Sequence, residues 1–372
     1  MFRLFKRRPD LRDVAASLEP HAIAADLDLI KRLVAFLETA EDYEVFHCNP
    51  RYLAERLEQP DRTVLKLLMA ALYEGIITLH WEVRCPACGG IDGQHGSLHD
   101  LHHDTDCPAC GNHFSPHLDD EVHITFSIHR RLRNLPARAD DPAFRATIDA
   151  RLGPTHGLSL LTLPDFQRLF PQQRLLPNES LDVTRVSLIF TDLAGSTAMY
   201  ARRGDPRAYY LVRLHFDELF RVADVHGGTV VKTIGDAILG VFQTPLEAMQ
   251  AALEMQHAID TLNQRYFLVD EERLILKVGV HSGPCLSVTL NDRPDYFGTT
   301  VNTAARVQGL SVGSDLVFTE PVRTNHQVQA FLQRHLNAHP LESRSVLLKG
   351  MIEEQQVHRL VLPHGAMAES QA

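Results

Sequence analysis

Two short stretches of this chain carry residues that could do chemistry. In Ser187-Leu-Ile-Phe-Thr-Asp192-Leu-Ala-Gly-Ser-Thr197 an apolar run ends on an acid and passes into a Gly-Ser-Thr turn. In Thr229-Val-Val-Lys232-Thr-Ile-Gly-Asp236-Ala-Ile-Leu-Gly-Val-Phe242 a β-branched run breaks at Gly235-Asp236 and then turns apolar again. Two carboxylates at the ends of neighbouring strands can hold hard divalent cations. Mg²⁺ prefers one or two carboxylates plus substrate phosphates to an all-protein cage. Two such ions can activate an attacking oxygen and stabilise a leaving one. A lone Asp in a turn is more often just a turn residue, so neither acid is decisive by itself. Gly227-Gly-Thr-Val-Val-Lys232-Thr233 is not a phosphate-binding P-loop. Val231 stands where a glycine should precede the lysine, and the run before it is strand-like.

The elements that must position these acids follow from local patterning. The first stretch reads as strand, tight turn and helix, with Ser196 or Thr197 as the N-cap and free N–H groups facing whatever sits over the turn. The second reads as a hairpin with Asp236 at its tip. Pro245–Gln264 is a helix with Leu246, Met249, Ala252, Leu253 and Ile259 on its apolar face. Leu274–Val280 is a strand, followed by His281-Ser-Gly-Pro-Cys285, whose cysteine is expected to be buried. A helix over Val301–Leu310 puts Asn302 and Arg306 on one face. Strands at Leu316–Phe318 and Ser345–Leu348 flank a helix near Val322–Gln333, and Val357–Leu362 is a last strand.

The two stretches resemble the catalytic domain of class III nucleotidyl cyclases. Downstream, Asp295-Tyr-Phe-Gly-Thr-Thr-Val-Asn302-Thr-Ala-Ala-Arg306 is similar to that family's substrate and transition-state segment. Val346-Leu-Leu-Lys349-Gly350 is similar to its late triphosphate-binding strand. The resemblance covers about Val183–Leu362. It implies an α+β chain, with a ferredoxin-like βαββαβ cyclase domain behind a small helical and zinc-ribbon domain.

The resemblance also assigns roles. Asp192 and Asp236 would hold two Mg²⁺ or Mn²⁺ ions, with the Leu193 carbonyl helping one of them. Asn302 would orient the ribose, and Arg306 would meet the charge growing on the phosphoryl group. Lys349 would bind the β,γ-phosphates. The ribose 3′-hydroxyl attacks the α-phosphate and pyrophosphate leaves, a reaction catalysed mainly by positioning and charge stabilisation. Lys232 and Asp295 would read the base. Adenine offers an acceptor at N1 and a donor at N6, which a lysine and an aspartate match; guanine has the opposite polarity. The expectation is an adenylate cyclase that makes cyclic AMP from ATP as a homodimer with shared sites. The alternatives are a guanylate cyclase, or a nucleic-acid-binding regulator with an inert cyclase domain. A diguanylate cyclase is set aside, because no Gly-Gly-Asp/Glu-Glu-Phe run is present.

The N-terminal half carries a second signal. Cys85-Pro-Ala-Cys88-Gly and Cys107-Pro-Ala-Cys110-Gly are separated by eighteen residues, the spacing of a Cys₄ zinc ribbon holding one structural zinc ion per chain. His95, His99, His102, His103, His113 and His117 lack clean ligand spacing and read as a solvated loop. Before the cysteines, two short helices and the strand Ile76–Val83 read as a small helical packing or dimerisation domain, or as a winged-helix unit, which they resemble, and Glu121–His129 alternates as a strand.

The 372 residues allow two or three domains. They divide as a basic tail over 1–19, a helical, winged-helix-like segment over 20–84, a zinc ribbon over 85–135, a proline-rich connector over 136–182 with a short helix at most, and the cyclase domain over 183–372. The formal net charge of -10 argues against general nucleic-acid affinity, which needs a basic face. No run approaches 18 apolar residues, so no membrane span is expected. Met1–Arg8 is basic but lacks the apolar stretch of a signal peptide, so a cytoplasmic location is expected.

Overall fold

The computed structural model describes residues 11–20, 26–269, 272–335 and 340–362. The basic run Met1–Arg8 lies outside them. The chain divides into two compact units, Met1–Asp182 with Val288–Pro294, and Val183–Ser287 with Asp295–Ala372.

The first unit begins with helices α1 (Leu11–Leu18), α2 (Leu27–Thr39), α3 (Pro50–Arg56) and α4 (Asp61–Tyr73). Residues 11–18 were expected to be part of the basic tail. They are helical instead, because Val14 and Leu18 find apolar burial. Asp26 caps α2 by accepting from the Asp28 and Leu29 amides, and the helix buries Leu29, Ile30, Leu33, Val34, Phe36 and Leu37. Strand β1 (Ile77–Arg84) is the centre of a three-stranded antiparallel sheet, between β2 (Ile91–His95) and β5 (Val122–Ile128). The short ribbon of β3 (Thr105–Asp106) and β4 (His113–Phe114) lies between β2 and β5 in sequence. The cysteine segment is therefore an excursion within a hairpin, where the sequence suggested a domain following the helices.

Residues 136–182 also differ from expectation. They form α5 (Pro142–Leu152), α6 (Leu158–Leu161) and α7 (Pro164–Leu169), and Phe166 packs edge-on against fully buried Trp81. Apolar periodicity could not reveal α5, because Ile148 is its one buried residue. Polar contacts anchor it. Arg145 reaches Glu82 at 3.1 Å, and Asn49 donates to Asp149 at 2.8 Å.

The second unit runs β6 (Ser180–Leu193), α8 (Ser196–Arg203), α9 (Asp205–Val225), β7 (Thr229–Ile234), β8 (Ala237–Phe242), α10 (Pro245–Arg265) and β9 (Leu276–Leu290). Its central strands are ordered β9-β6-β8-β7, the arrangement of a ferredoxin-like βαββαβ sheet. The chain continues as β10 (Arg293–Phe297), α11 (Thr299–Gln308), β11 (Asp315–Thr319), α12 (Glu320–Arg323), α13 (His326–His335), β12 (Leu341–Val346) and β13 (Gln355–Val361). β11 adds parallel to β9, β13 and β12 extend that side, and β10 pairs with β9.

Side chains alternate across a strand. Leu316 and Phe318 of β11 enter the large core with α9 and α10, whereas Val317 joins Val307 of α11, Leu348 and Val357. So α9 and α10 cover one sheet face and α11 lies on the other. A reciprocal capping box between Thr244 and Glu247 starts α10. No helix among the described residues is long and apolar enough to cross a membrane.

Candidate active site

Asp192 is the penultimate residue of β6, and Asp236 occupies the turn between β7 and β8 beside Gly235, whose φ is +64°. β6 and β8 pair antiparallel with Thr191 opposite Ile238, so both acids come to one end of the sheet. The Leu193 amide donates to Asp236 Oδ2 at 3.2 Å. Burial, then the charge of Asp236, pushes the Asp192 carboxyl above its ordinary range. The charge of Asp236 makes ionisation of Asp192 costlier, and a cation between the two half-buried carboxylates would relieve that cost. The donor set thus fits divalent ions.

Lys277 was missed in the sequence. It lies on β9, and its charge counters the upward shift of Asp192. A lysine inside the otherwise apolar strand Leu276–Val280 was the available signal. The expected cap is also corrected. Gly195, with φ of +70°, is the N-cap of α8, and Ser196 is already the first helical residue. The reversal from β6 into α8 needs a left-handed residue, which glycine supplies without Cβ strain.

Lys232 projects from β7 at a register shift between Val230 and Lys232. Such a bulge re-aims a side chain. Its Nζ lies 2.8 and 2.6 Å from the two carboxylate oxygens of Asp295 on β10. Asp295 is 4% exposed, and its Oδ1 also accepts from the Tyr296 amide. The Phe297 ring, two residues on, stands 5.8 Å from Lys232 Nζ.

Asn302 and Arg306 lie one turn apart on α11. Gly279 of β9 lets α11 approach, since a Cβ there would collide with the Gln308 backbone. Lys349 is exposed in the turn after β12, which ends at Val346; the strand was expected to reach Leu348. The adjoining Gly350 lies against Arg306, whose Nη2 would be 3.5 Å from an added Cβ. Cys285 is buried within β9, and the strand extends well beyond Val280. The chain thus gathers two clusters, Asp192 with Asp236 and Lys232 with Asp295, and carries Asn302 and Arg306 on α11. Among the described residues, no hydrogen bond or ion pair joins Asp192 or Asp236 to Lys232, Asp295, Asn302 or Arg306.

Residues 179–357 match the family described as the adenylate and guanylate cyclase catalytic domain. The C-terminal half carries a cyclase catalytic domain of this family. The segment 11–149 ahead of the cyclase domain matches a family of unknown function, DUF5939. An adenylate cyclase of Anabaena cylindrica is 27% identical over 222 residues, 54% of this chain and 43% of the relative. The receptor-type guanylate cyclase Gyc76C of Drosophila melanogaster is 33% identical over 144 residues, 35% of this chain and 9% of the relative. The chain spans less than half the length of these curated relatives. The solved adenylyl cyclase CyaB from P. aeruginosa aligns over 51% of this chain and 99% of its own, at 18% identity and a TM-score of 0.42. Relatives of the cyclase domain thus include proteins named for each purine nucleotide.

The N-terminal unit holds a third cluster. Cys85, Cys88, Cys107 and Cys110 place their sulfurs within 4.8 Å of one another. The neighbouring histidines do not join it. His102 lies on Glu179, His113 on Asp106 and His117 on Glu121.

Proposed function

We propose that this chain is an adenylate cyclase, converting ATP to 3′,5′-cyclic AMP and pyrophosphate at sites shared between two copies of the chain. The observation that carries the reading is the Lys232–Asp295 pair. A donor and an acceptor side by side match N1 and N6 of adenine, and a guanine would leave buried polar groups unpaired. Bound Mg²⁺ or Mn²⁺ would supply Lewis-acid stabilisation to the attacking and leaving oxygens.

The chain's own residues do the remaining work. Asp192 and Asp236, with the Leu193 carbonyl, would hold the two cations. Asn302 orients the ribose so that O3′ faces the α-phosphate. As the O3′–P bond forms and the bond to the pyrophosphate oxygen breaks, Arg306 meets the charge growing on the phosphoryl group. Lys349 takes the β,γ-phosphates. In a two-fold dimer, one protomer gives Asp192 and Asp236 and its partner gives the base and ribose contacts. The N-terminal unit, a winged-helix-like element with a four-cysteine metal site, sets the rate. We place the protein in the cytoplasm, where thiols stay reduced.

Turnover of ATP and GTP with Mg²⁺ or Mn²⁺, scored as cyclic nucleotide, tests base choice; comparable rates would sink it. Co-expression of Asp192→Ala with Arg306→Ala tests the shared site. Each variant alone should be nearly inactive. With random pairing half the dimers are mixed, each with one intact site of two, so about a quarter of wild-type activity should return. Confirmed heterodimers with no recovery would exclude shared sites.

A further inference from the structure

The two cysteine knuckles are built alike. The Cys85 amide donates to the Gly90 carbonyl at 2.9 Å, and the Cys107 amide to the Asn112 carbonyl at 2.9 Å. Gly89 and Gly111 donate back to the Cys85 and Cys107 carbonyls at 2.8 Å, each with φ of +71°. This repeated left-handed turn points both sulfurs of a knuckle to one side. Across the knuckles, Cys85 and Cys110 sulfurs lie 3.7 Å apart, and Cys88 and Cys107 sulfurs 3.6 Å. Four sulfurs about 2.3 Å from one tetrahedral ion would be about 3.8 Å apart. The sulfurs therefore fit a single ion with no other ligand.

We propose that these four cysteines bind one zinc ion that holds the excursion from the β1–β2–β5 sheet in place. This inference does not rest on the cyclase reading. Cys85 directly follows β1, Gly90 directly precedes β2, and the second knuckle joins β3 to β4. The ion staples the β1–β2 turn to the β3–β4 turn. A staple is needed, because between Pro86 and Asp120 the buried apolar side chains among the described residues are Leu98, Leu101, Cys107, Pro116 and Leu118. So small a core does not hold a segment of this length.

The surroundings suit thiolates. The Gly90 amide donates to Cys88 Sγ at 3.4 Å, and Asn112 Nδ2 to Cys85 Sγ at 3.8 Å. These N–H groups offset the negative charge that four thiolates keep after binding one dication. Gly90 is itself fitted to the site: an added Cβ would sit 3.2 Å from both Cys88 Sγ and Ala109 Cβ. Four protein sulfurs leave no open position, so the ion is structural, not catalytic. A tetrahedral S₄ set suits zinc or iron, and the ion assigned here is zinc.

The full-length chain, purified under reducing conditions, should contain one zinc per chain by elemental analysis and native mass spectrometry. Titrating Co²⁺ into the zinc-free chain should give the visible and charge-transfer bands of a tetrahedral tetrathiolate, saturating at one equivalent. Cys107→Ser should retain less than about a tenth of the zinc, while Cys48→Ser and Cys285→Ser keep it. Proteolysis should cut the zinc-free chain between residues 86 and 120 and spare that segment in the zinc-loaded one. If Cys107→Ser does not fold, the Co²⁺ titration of the wild-type chain decides alone. A reduced chain that carries no zinc and shows no saturable Co²⁺ bands would overturn the proposal. So would iron with the colour of a ferric tetrathiolate, or full zinc retention by Cys107→Ser.

Discussion

Lys232 and Asp295, 63 residues apart in sequence, form a two-pronged ion pair in which Nζ reaches both carboxylate oxygens, at 2.8 and 2.6 Å. The lysine side chain is 35% exposed and the aspartate side chain 6%. Their polar groups satisfy each other before any base arrives. On the proposed reading, a purine edge would have to replace these bonds with equally good ones, and a base of the wrong polarity would not.

Lys232→Met removes the cation and leaves Asp295 buried. Breaking a buried pair costs 3–5 kcal/mol in general, and the partial exposure of Lys232 reduces this to about 2 kcal/mol. Urea denaturation should show that loss, and the ATP-to-GTP ratio of kcat/KM should fall by about tenfold or more. Lys232→Met with Asp295→Leu should recover stability but not selectivity. An unchanged nucleotide ratio in the single variant would remove Lys232 from base reading.

Asp192 carries a raised pKa, from burial first and the Asp236 charge second. With the folded pKa above the unfolded one, the ionised carboxylate costs stability at neutral pH, and that cost fades as pH falls through the folded value. Asp192→Asn should therefore raise the melting temperature of the metal-free protein at pH 7.5 by about 2–4 °C. It should also abolish the further rise expected of the wild type with Mn²⁺ and ATP. Scanning fluorimetry with and without Mn²⁺ checks both; an equal Mn²⁺ response in the variant would show that Asp192 is no ligand.

Gly279→Ala should destabilise the catalytic unit by about 1–3 kcal/mol, because its Cβ meets the Gln308 backbone, not a side chain that could swing away. The strain would shift α11, which carries Asn302 and Arg306. Activity should fall by more than the loss of folded protein explains, measurable as kcat corrected for the folded fraction by circular dichroism.

Acid should loosen the N-terminal unit early. Burial, then the charge of stacked His47, lowers the His80 pKa to about 4. Burial, then Arg84 and neighbouring His156, lowers that of His123 to about 3. A histidine with a depressed folded pKa binds protons more readily when unfolded. Stability is then lost as pH falls below the ordinary value of 6.5, down to the folded values. At pH 5 the loss is on the order of 2 kcal/mol for each. Glu82 acts at lower pH. Burial would raise its pKa, but the His47 hydrogen bond, with the charges of His47, Arg145 and Arg84, takes it down to about 2. Its contribution is present above about 4.5 and lost toward pH 2. Denaturation of the full chain at pH 7.5, 6 and 5, with and without His80→Gln, checks this; equal stability at pH 7.5 and 5 would exclude it.

The sequence by itself determined most of the catalytic unit's elements, because they are local, though not the reach of β9 past Val280 or the bounds of β12. Apolar alternation and period set the strands and α10, Gly235-Asp236 marked a hairpin tip, and helical spacing put Asn302 and Arg306 on one face of α11. The cysteine knuckles were equally legible, since a left-handed glycine after each Cys-x-x-Cys is written into the sequence. Tertiary structure alone decided the rest. The bulge that turns Lys232 onto Asp295, the place of Lys277 beside Asp192, and the close approach of α11 at Gly279 all depend on strands that become neighbours only in the folded sheet. Helix α5 stayed hidden because it docks through Arg145 and Asp149, and apolar period does not register polar anchoring. Spacing along a chain encodes which groups share a turn or a face. Which groups meet across a sheet is fixed by the burial that chooses strand order and register.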